Sequence, residues 1–156
     1  MPTVNDPAFW QELYQKKEDG WELGHAAPPL VRFLDEDPPP KGRVAVLGCG
    51  RGHDAREFAR RGYDVVGYDF SQAAIEEARK LGGGPVFERK DIFRLPDDRD
   101  FDLVWEYTCF CAIDPARRAG SVRAAASLLK PGGAYFGLFY SHGKPGGPPF
   151  DVKAAE

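Results

Sequence analysis

The chain is poor in the residues that staple, span or bind polyanions. Its three cysteines (Cys49, Cys109, Cys111) are an odd and widely spread set, which excludes a disulfide framework as the source of stability. Cys109 and Cys111 have no companion pair, and His25, His53 and His142 fall at no metal-ligand spacing, so no metal ligands are expected. No apolar run reaches the ~18 residues that a bilayer span requires. Residues 1–6 have neither the basic nor the apolar stretch of a secretory leader. Positive charge is not in excess either. The net charge of −3 offers nothing that would hold nucleic acid or a membrane surface. These absences leave the expectation of a cytoplasmic protein, one domain overall, whose ligands are small molecules.

What is present is a change of pattern near residue 43. Residues 1–42 form a helical lead-in. Asp6 before Pro7 is a helix start with a side-chain acceptor and a preset φ. Phe9, Trp10, Leu13 and Tyr14 then share one face at helical spacing. A loop around Gly20 and Gly24 follows, and Pro28-Pro29 opens a short second helix that Pro38-Pro39-Pro40 ends.

From residue 43 to 156, short apolar runs alternate with helical stretches, which is the pattern of βαβ units. Strands are expected at 44–47, 65–68, 85–88, 101–105 and 134–140. Helices are expected at 53–61, at 71–81 with Ser71 as cap, and from Asp114-Pro115 to about Leu129. Right-handed crossovers make the sheet parallel, with helices on both faces.

Three features fall at the ends of consecutive strands. Gly48-Cys49-Gly50-Arg51-Gly52 leaves the first strand as a glycine-rich turn, where a ligand can approach the backbone at the topological switch point. Its third glycine comes four residues after the first, not the five of a dinucleotide fingerprint, which argues against a dehydrogenase. Asp69 ends the second strand, where a carboxylate can accept two ribose hydroxyls. Asp91-Ile92 follows the third strand and offers an acceptor and an apolar side chain to an adenine. Each also has a plain reading, as a structural turn, a solvated strand-end acid or a loop acid. Three in the right order make coincidence a poor account.

With these motifs the chain resembles the class I S-adenosylmethionine-dependent methyltransferases, through Val46-Leu47-Gly48-Cys49-Gly50-Arg51-Gly52, Val66-Gly67-Tyr68-Asp69 and Leu128-Leu129-Lys130-Pro131-Gly132-Gly133. More narrowly it is similar to the thiopurine S-methyltransferase family, in particular its halide and thiol methyltransferase branch. That similarity rests on Phe9-Trp10 with Tyr14 and Trp21, on Tyr107-Thr108-Cys109-Phe110-Cys111-Ala112-Ile113 with Pro115 and Arg118, and on Gly146-Gly147-Pro148-Pro149-Phe150. The resemblance implies S-adenosylmethionine as cofactor, held by Gly48, Gly50, Asp69, Asp91 and Ile92. It also implies that Trp10, Tyr14 and Trp21 close over the cofactor from residues 1–42, acting as a lid, and that Tyr107 contacts it. Trp10 has a second reading as core, since it shares its face with Phe9, Leu13 and Tyr14.

In-line displacement from a sulfonium to a soft anion needs proximity, alignment and dry walls rather than a general base. The sequence shows no Ser/His/Asp set and no paired carboxylates, so no catalytic acid or base is assigned. The expected function is methyl transfer to a thiol, halide or thiopurine-like acceptor. The alternatives are a non-catalytic S-adenosylmethionine-binding module and methylation of an unrelated small molecule. The resemblance implies a Rossmann-like strand order of 3-2-1-4-5 within a seven-stranded sheet whose last two strands follow Phe150. The sequence ends six residues later, so five strands are expected, with strand five left as an apolar edge for a homodimer partner or further residues to cover.

Overall fold

The computed structural model describes all 156 residues. Five strands, β1 (Arg43–Leu47), β2 (Asp64–Asp69), β3 (Val86–Arg89), β4 (Phe101–Tyr107) and β5 (Leu129–Leu138), form one sheet in the order β3-β2-β1-β4-β5. Every pairing is parallel. The apolar run Val44-Ala45-Val46-Leu47 follows from its place at the centre. Both faces of β1 are covered, so alternation with polar residues would bury unpaired groups.

On one face lie α2 (Pro28–Glu36), α3 (His53–Arg60) and α4 (Gln72–Leu81). They bring Leu30, Leu34, Ala55, Phe58, Ile75 and Ala78 against Val44, Val46, Val65, Phe87, Leu103 and Trp105. On the other face α5 (Arg118–Leu128) packs Ala125 and Leu128 against Ala45, Leu47, Val66, Tyr68 and Val104.

The lead-in helix α1 (Pro7–Lys16) packs on α4 and is hydrogen-bonded to its start through Gln11. Gln11 Oε1 accepts the Ala73 N–H at 2.9 Å and the Ser71 hydroxyl at 3.2 Å. Ser71 Oγ in turn accepts the Ala74 N–H at 3.3 Å, the cap expected from sequence. A residue of the lead-in thus helps satisfy the orphan donors at the start of α4.

Several boundaries depart from the sequence reading. Asp6 does not cap α1, because its carboxylate turns back to accept the N–H and hydroxyl of Thr3 at 2.8 and 3.1 Å. Asp114 caps only a 3-10 turn, Pro115–Arg117, and α5 begins at Arg118. Strand β5 starts at Leu129 rather than 134. Its register against β4 jumps from Phe101↔Leu129 to Leu103↔Ala134, so Lys130-Pro131-Gly132-Gly133 forms an irregularity within the strand instead of a helix stop.

The outer edge of β5 has no strand beside it. Phe136, Phe139 and Tyr140 are 40 %, 48 % and 52 % exposed. The tail meets the chain just past the end of β5, where the Val152 N–H donates to Tyr140 O at 3.2 Å. It folds over the loop that follows β4, where the Phe150 N–H donates to Cys111 O at 2.7 Å and Val152 packs on Phe110 and Cys111. Arg118 secures it, donating to Asp151 O at 3.0 Å and to Glu156 at 2.6 Å.

Phe58 is fully buried where α3 meets the sheet, edge-on to Tyr63 and Trp105. Phe58→Ala should lower the unfolding free energy by about 3–5 kcal/mol. The exposed α5 substitution Val122→Ala should stay within about 0.5 kcal/mol. Chemical denaturation measures both, and similar losses for the two would show that the first face is not the main core.

Candidate functional site

The C-terminal ends of β1, β2 and β4, the turn after β3 and the lead-in surround one cavity of about 810 Å³. All nine residues singled out from sequence, Trp10, Tyr14, Trp21, Gly48, Gly50, Asp69, Asp91, Ile92 and Tyr107, line it. They come from six separate stretches of chain, and the fold brings them together.

The glycine turn is shaped by what lies behind it. Gly48 has φ +57°, and a Cβ there would stand 2.7 Å from Cys109 Sγ. Gly52, the N-cap of α3, has φ +81°, and a Cβ would stand 2.4 Å from the Phe87 ring. Both positions therefore need glycine for conformation and for space. The Cys49 N–H donates to Tyr68 O at 3.0 Å, which ties the turn to β2.

Asp69 is buried at the end of β2. Its Oδ2 accepts the Gly50 N–H at 3.0 Å and its Oδ1 accepts the Ser71 N–H at 2.9 Å. Burial raises its pKa, and those backbone donors pull it back. A carboxylate has about four acceptor positions, and two are taken by the backbone, which leaves acceptor capacity at the cavity wall for a diol. Asp91 has a local task as well. Its Oδ1 accepts the Phe93 N–H at 2.9 Å and caps the 3-10 turn Ile92–Arg94, while Ile92 is half-buried against the second core cluster.

The aromatic wall is a connected cluster. The Trp10 and Trp21 rings are 5.6 Å apart at 72°, and Tyr14 and Trp21 are 5.7 Å apart at 82°. The Trp10 indole N–H donates to Val4 O at 2.9 Å, and that of Trp21 to Tyr14 Oη at 3.4 Å. Both tryptophans are half-buried, so neither is spent wholly on core packing. Burial, with a further push from the Asp69 charge, raises the Tyr14 phenol. Tyr107 is likewise raised by burial and stands half-buried at the end of β4.

Sequence reasoning missed the residues that hold this wall in place. Arg51, between two glycines of the turn, pairs with Asp19 and Glu22 from the lead-in and with Glu77 from α4. Its guanidinium also lies 5.2 Å from the Tyr14 ring centroid. His53 adds a contact from α3 to Glu22 at 2.6 Å. Burial would raise Glu22, but Arg51, the Gly24 N–H and His53 hold it below the ordinary glutamate value. The only signal available in sequence was an acidic pair flanking Trp21 and a lone cation in the turn. Neither spacing is local enough to read.

The glycine cradle, the partly free Asp69 acceptor and the tryptophan faces fit an adenosyl group that carries a cation. Trp and Tyr faces attract a sulfonium electrostatically, and the carboxylate suits a ribose.

The fold is the Rossmann-like one of small-molecule methyltransferases. The Burkholderia thailandensis 1,6-didemethyltoxoflavin-N1-methyltransferase, solved with S-adenosylhomocysteine, superposes with a TM-score of 0.72 at 22 % identity, over 88 % of this chain and 62 % of that one. Within that class, residues 5–156 match the thiopurine S-methyltransferase family, and the chain belongs to it. Thiocyanate methyltransferase 1 of Brassica oleracea is 34 % identical over 97 % of this chain and 70 % of its own length. A probable thiol methyltransferase 2 of Arabidopsis thaliana is 32 % identical over 100 % of this chain and 72 % of its own. The chain thus spans 70–72 % of those two curated relatives and only 51–65 % of solved chains that share the fold.

Arg51→Ala would leave the buried Asp19 and the half-buried Glu22 short of a partner. Tryptophan emission should then shift to the red, and limited proteolysis should open the chain between residues 17 and 27, with the far-ultraviolet signal of the sheet retained. An unchanged spectrum and digest would show that packing alone holds the aromatic wall.

Proposed function

We propose that the cavity binds S-adenosylmethionine and that the chain carries its methyl group to a small soft nucleophile such as thiocyanate, a halide, a thiolate or a thiopurine. The observation that carries this reading is the convergence of six separate stretches on one cavity, with Asp69 keeping acceptor capacity at its wall. The sulfonium would supply an electrophilic methyl. The acceptor's lone pair forms the new bond to carbon, while the electron pair of the broken C–S bond stays on sulfur as S-adenosylhomocysteine. Phe9, Ile113, Phe139, Tyr140 and Pro149 also line the cavity and would form its acceptor side. Such a wall suits an acceptor that enters as an anion and leaves as a neutral, less hydrated product.

Residues 1–42 would serve as a lid in this reading, pinned through Arg51 and Gln11 and able to open when those contacts part. The bare β5 edge with its exposed Phe136 suits pairing with a second copy of the chain. The three free thiols suit a reducing compartment such as the cytoplasm.

Calorimetry with S-adenosylmethionine, S-adenosylhomocysteine and NAD should show the first two binding and the third not. A methyl-transfer screen over iodide, thiocyanate, hydrosulfide, aromatic thiols and thiopurines should find turnover. Binding without turnover on any acceptor would favour the non-catalytic module. Asp69→Ala should weaken both adenosyl ligands at least tenfold, since hydrogen bonds to a charged acceptor are worth about 1.5–3 kcal/mol each. It should also cost about 1–3 kcal/mol of stability, because the N–H groups of Gly50 and Ser71 lose their acceptor.

A further inference from the structure

Glu106 is a buried acid that lies outside the cavity lining. It stands in β4 opposite Leu47 of β1 and Gly137 of β5, and is 1 % exposed. Its Oε2 accepts the N–H groups of Cys109 and Phe110 at 3.0 and 3.1 Å. Its Oε1 has no partner. A Cβ at residue 137 would come within 2.6 Å of that oxygen, so β5 admits the carboxylate only because glycine stands there. A well-packed apolar side chain would avoid the cost of an orphaned buried oxygen, so the position calls for an explanation.

The geometry supplies one. Just after Glu106 the chain turns sharply, with Thr108 in the left-handed region at φ +58°. The carboxylate reaches forward and holds the next two amides, which sets Cys109 with its sulfur against Gly48. Residues 107–109 and Gly48 all face the cavity. Glu106 therefore lies one layer behind the wall where the loop after β4 meets the glycine turn. No cation pairs with it. The titratable groups around it are Cys109 and Cys111 from its own loop and Tyr135 from β5, each raised first by burial and then by the Glu106 charge, while β1 contributes only Leu47.

We propose that Glu106 is a positioning residue and the buried counter-charge of the site: it fixes residues 108–110 against the glycine turn, and its carboxylate acts through that wall on the cation of a bound sulfonium. The inference rests on the cofactor reading above. In a poorly solvated interior, charge interactions persist across a layer of side chains that water would screen. Burial pushes the Glu106 carboxyl up to about 7, so near neutrality a nearby cation shifts it toward the ionised form. A sulfonium therefore binds better as pH rises, and a neutral thioether does not share that gain.

The test compares S-adenosylmethionine with S-adenosylhomocysteine, which carry the same adenosine and amino-acid groups and differ in the charge on sulfur. Calorimetry on the full chain should show the ratio of their affinities rising about threefold to tenfold between roughly pH 6 and 8. Glu106→Gln keeps an oxygen for the two amides but carries no charge. It should flatten that rise and leave S-adenosylhomocysteine affinity within about twofold. Glu106→Ala, which also releases the loop, should weaken both ligands.

A flat ratio in the unaltered protein overturns the proposal. So does a pH step that survives in Glu106→Gln, which would belong to Asp69 or Asp54, acids of the cavity wall that burial also raises. If Glu106→Gln does not fold, the ratio is read in Glu106→Ala instead: it should be flat with pH although both ligands bind more weakly, and a rise that survives there overturns the proposal. If the unaltered chain binds neither ligand, the cofactor reading fails and the proposal falls with it.

Discussion

The hydrogen bond from the Gly50 N–H to Asp69 joins the ends of the two central strands, and most of the site is arranged around it. A parallel sheet delivers every strand end to the same side, but it does not fix the turns that leave them. Asp69 does this for two turns at once. One oxygen holds the glycine turn after β1, and the other holds the Ser71 N–H at the start of α4. With those ends fixed, Ser71 caps α4, Gln11 docks α1 on that cap, and the tryptophan-bearing lead-in acquires a place to rest. The same carboxylate keeps acceptor capacity at the cavity, so the group that organises the fold locally is also the one that can read a ligand.

Arg51 extends this arrangement from the turn to the lead-in. Three carboxylates from two other segments meet one guanidinium at a half-buried position. Charges drawn out of water give back in desolvation much of what their attraction supplies, so such pairs add little net stability. Their value here is geometric. They fix which face of the lead-in meets the cavity, and they place Trp21 between Tyr14 and Trp10.

Most of the sheet was legible because buried parallel strands read as short apolar runs joined by helical crossovers, while their order came with the family resemblance. The site residues on strand ends were legible for the same reason. A glycine turn, an aspartate and an Asp-Ile pair have meaning once their strands are placed. The illegible parts are those decided by distant partners. Lys130-Pro131-Gly132-Gly133 reads as a helix stop, yet pairing with β4 draws Leu129 into the strand first. Asp6 reads as a cap, yet Thr3 competes for its carboxylate. Arg51 and Glu106 carry no local pattern at all. One is defined by carboxylates 32, 29 and 26 residues away, the other by a glycine on the neighbouring strand and a left-handed turn two residues on.

The cavity's own sulfur atoms bear on its chemistry. Cys49, Cys109 and Cys111 all line it, and a thiolate is the kind of soft nucleophile that an electrophilic methyl seeks. Burial is the first cause that raises each of these thiols. The charges nearest them, Asp69 for Cys49 and Glu106 for Cys109 and Cys111, push in the same direction. The lowering influence of Arg56 on Cys49 and of Arg118 on Cys111 is the lesser one in both cases. The arrangement therefore keeps the wall thiols protonated and unreactive. The acids that organise the turn after β1 and the loop after β4 thereby protect the wall from the reaction that the cavity is suited to direct at an incoming acceptor.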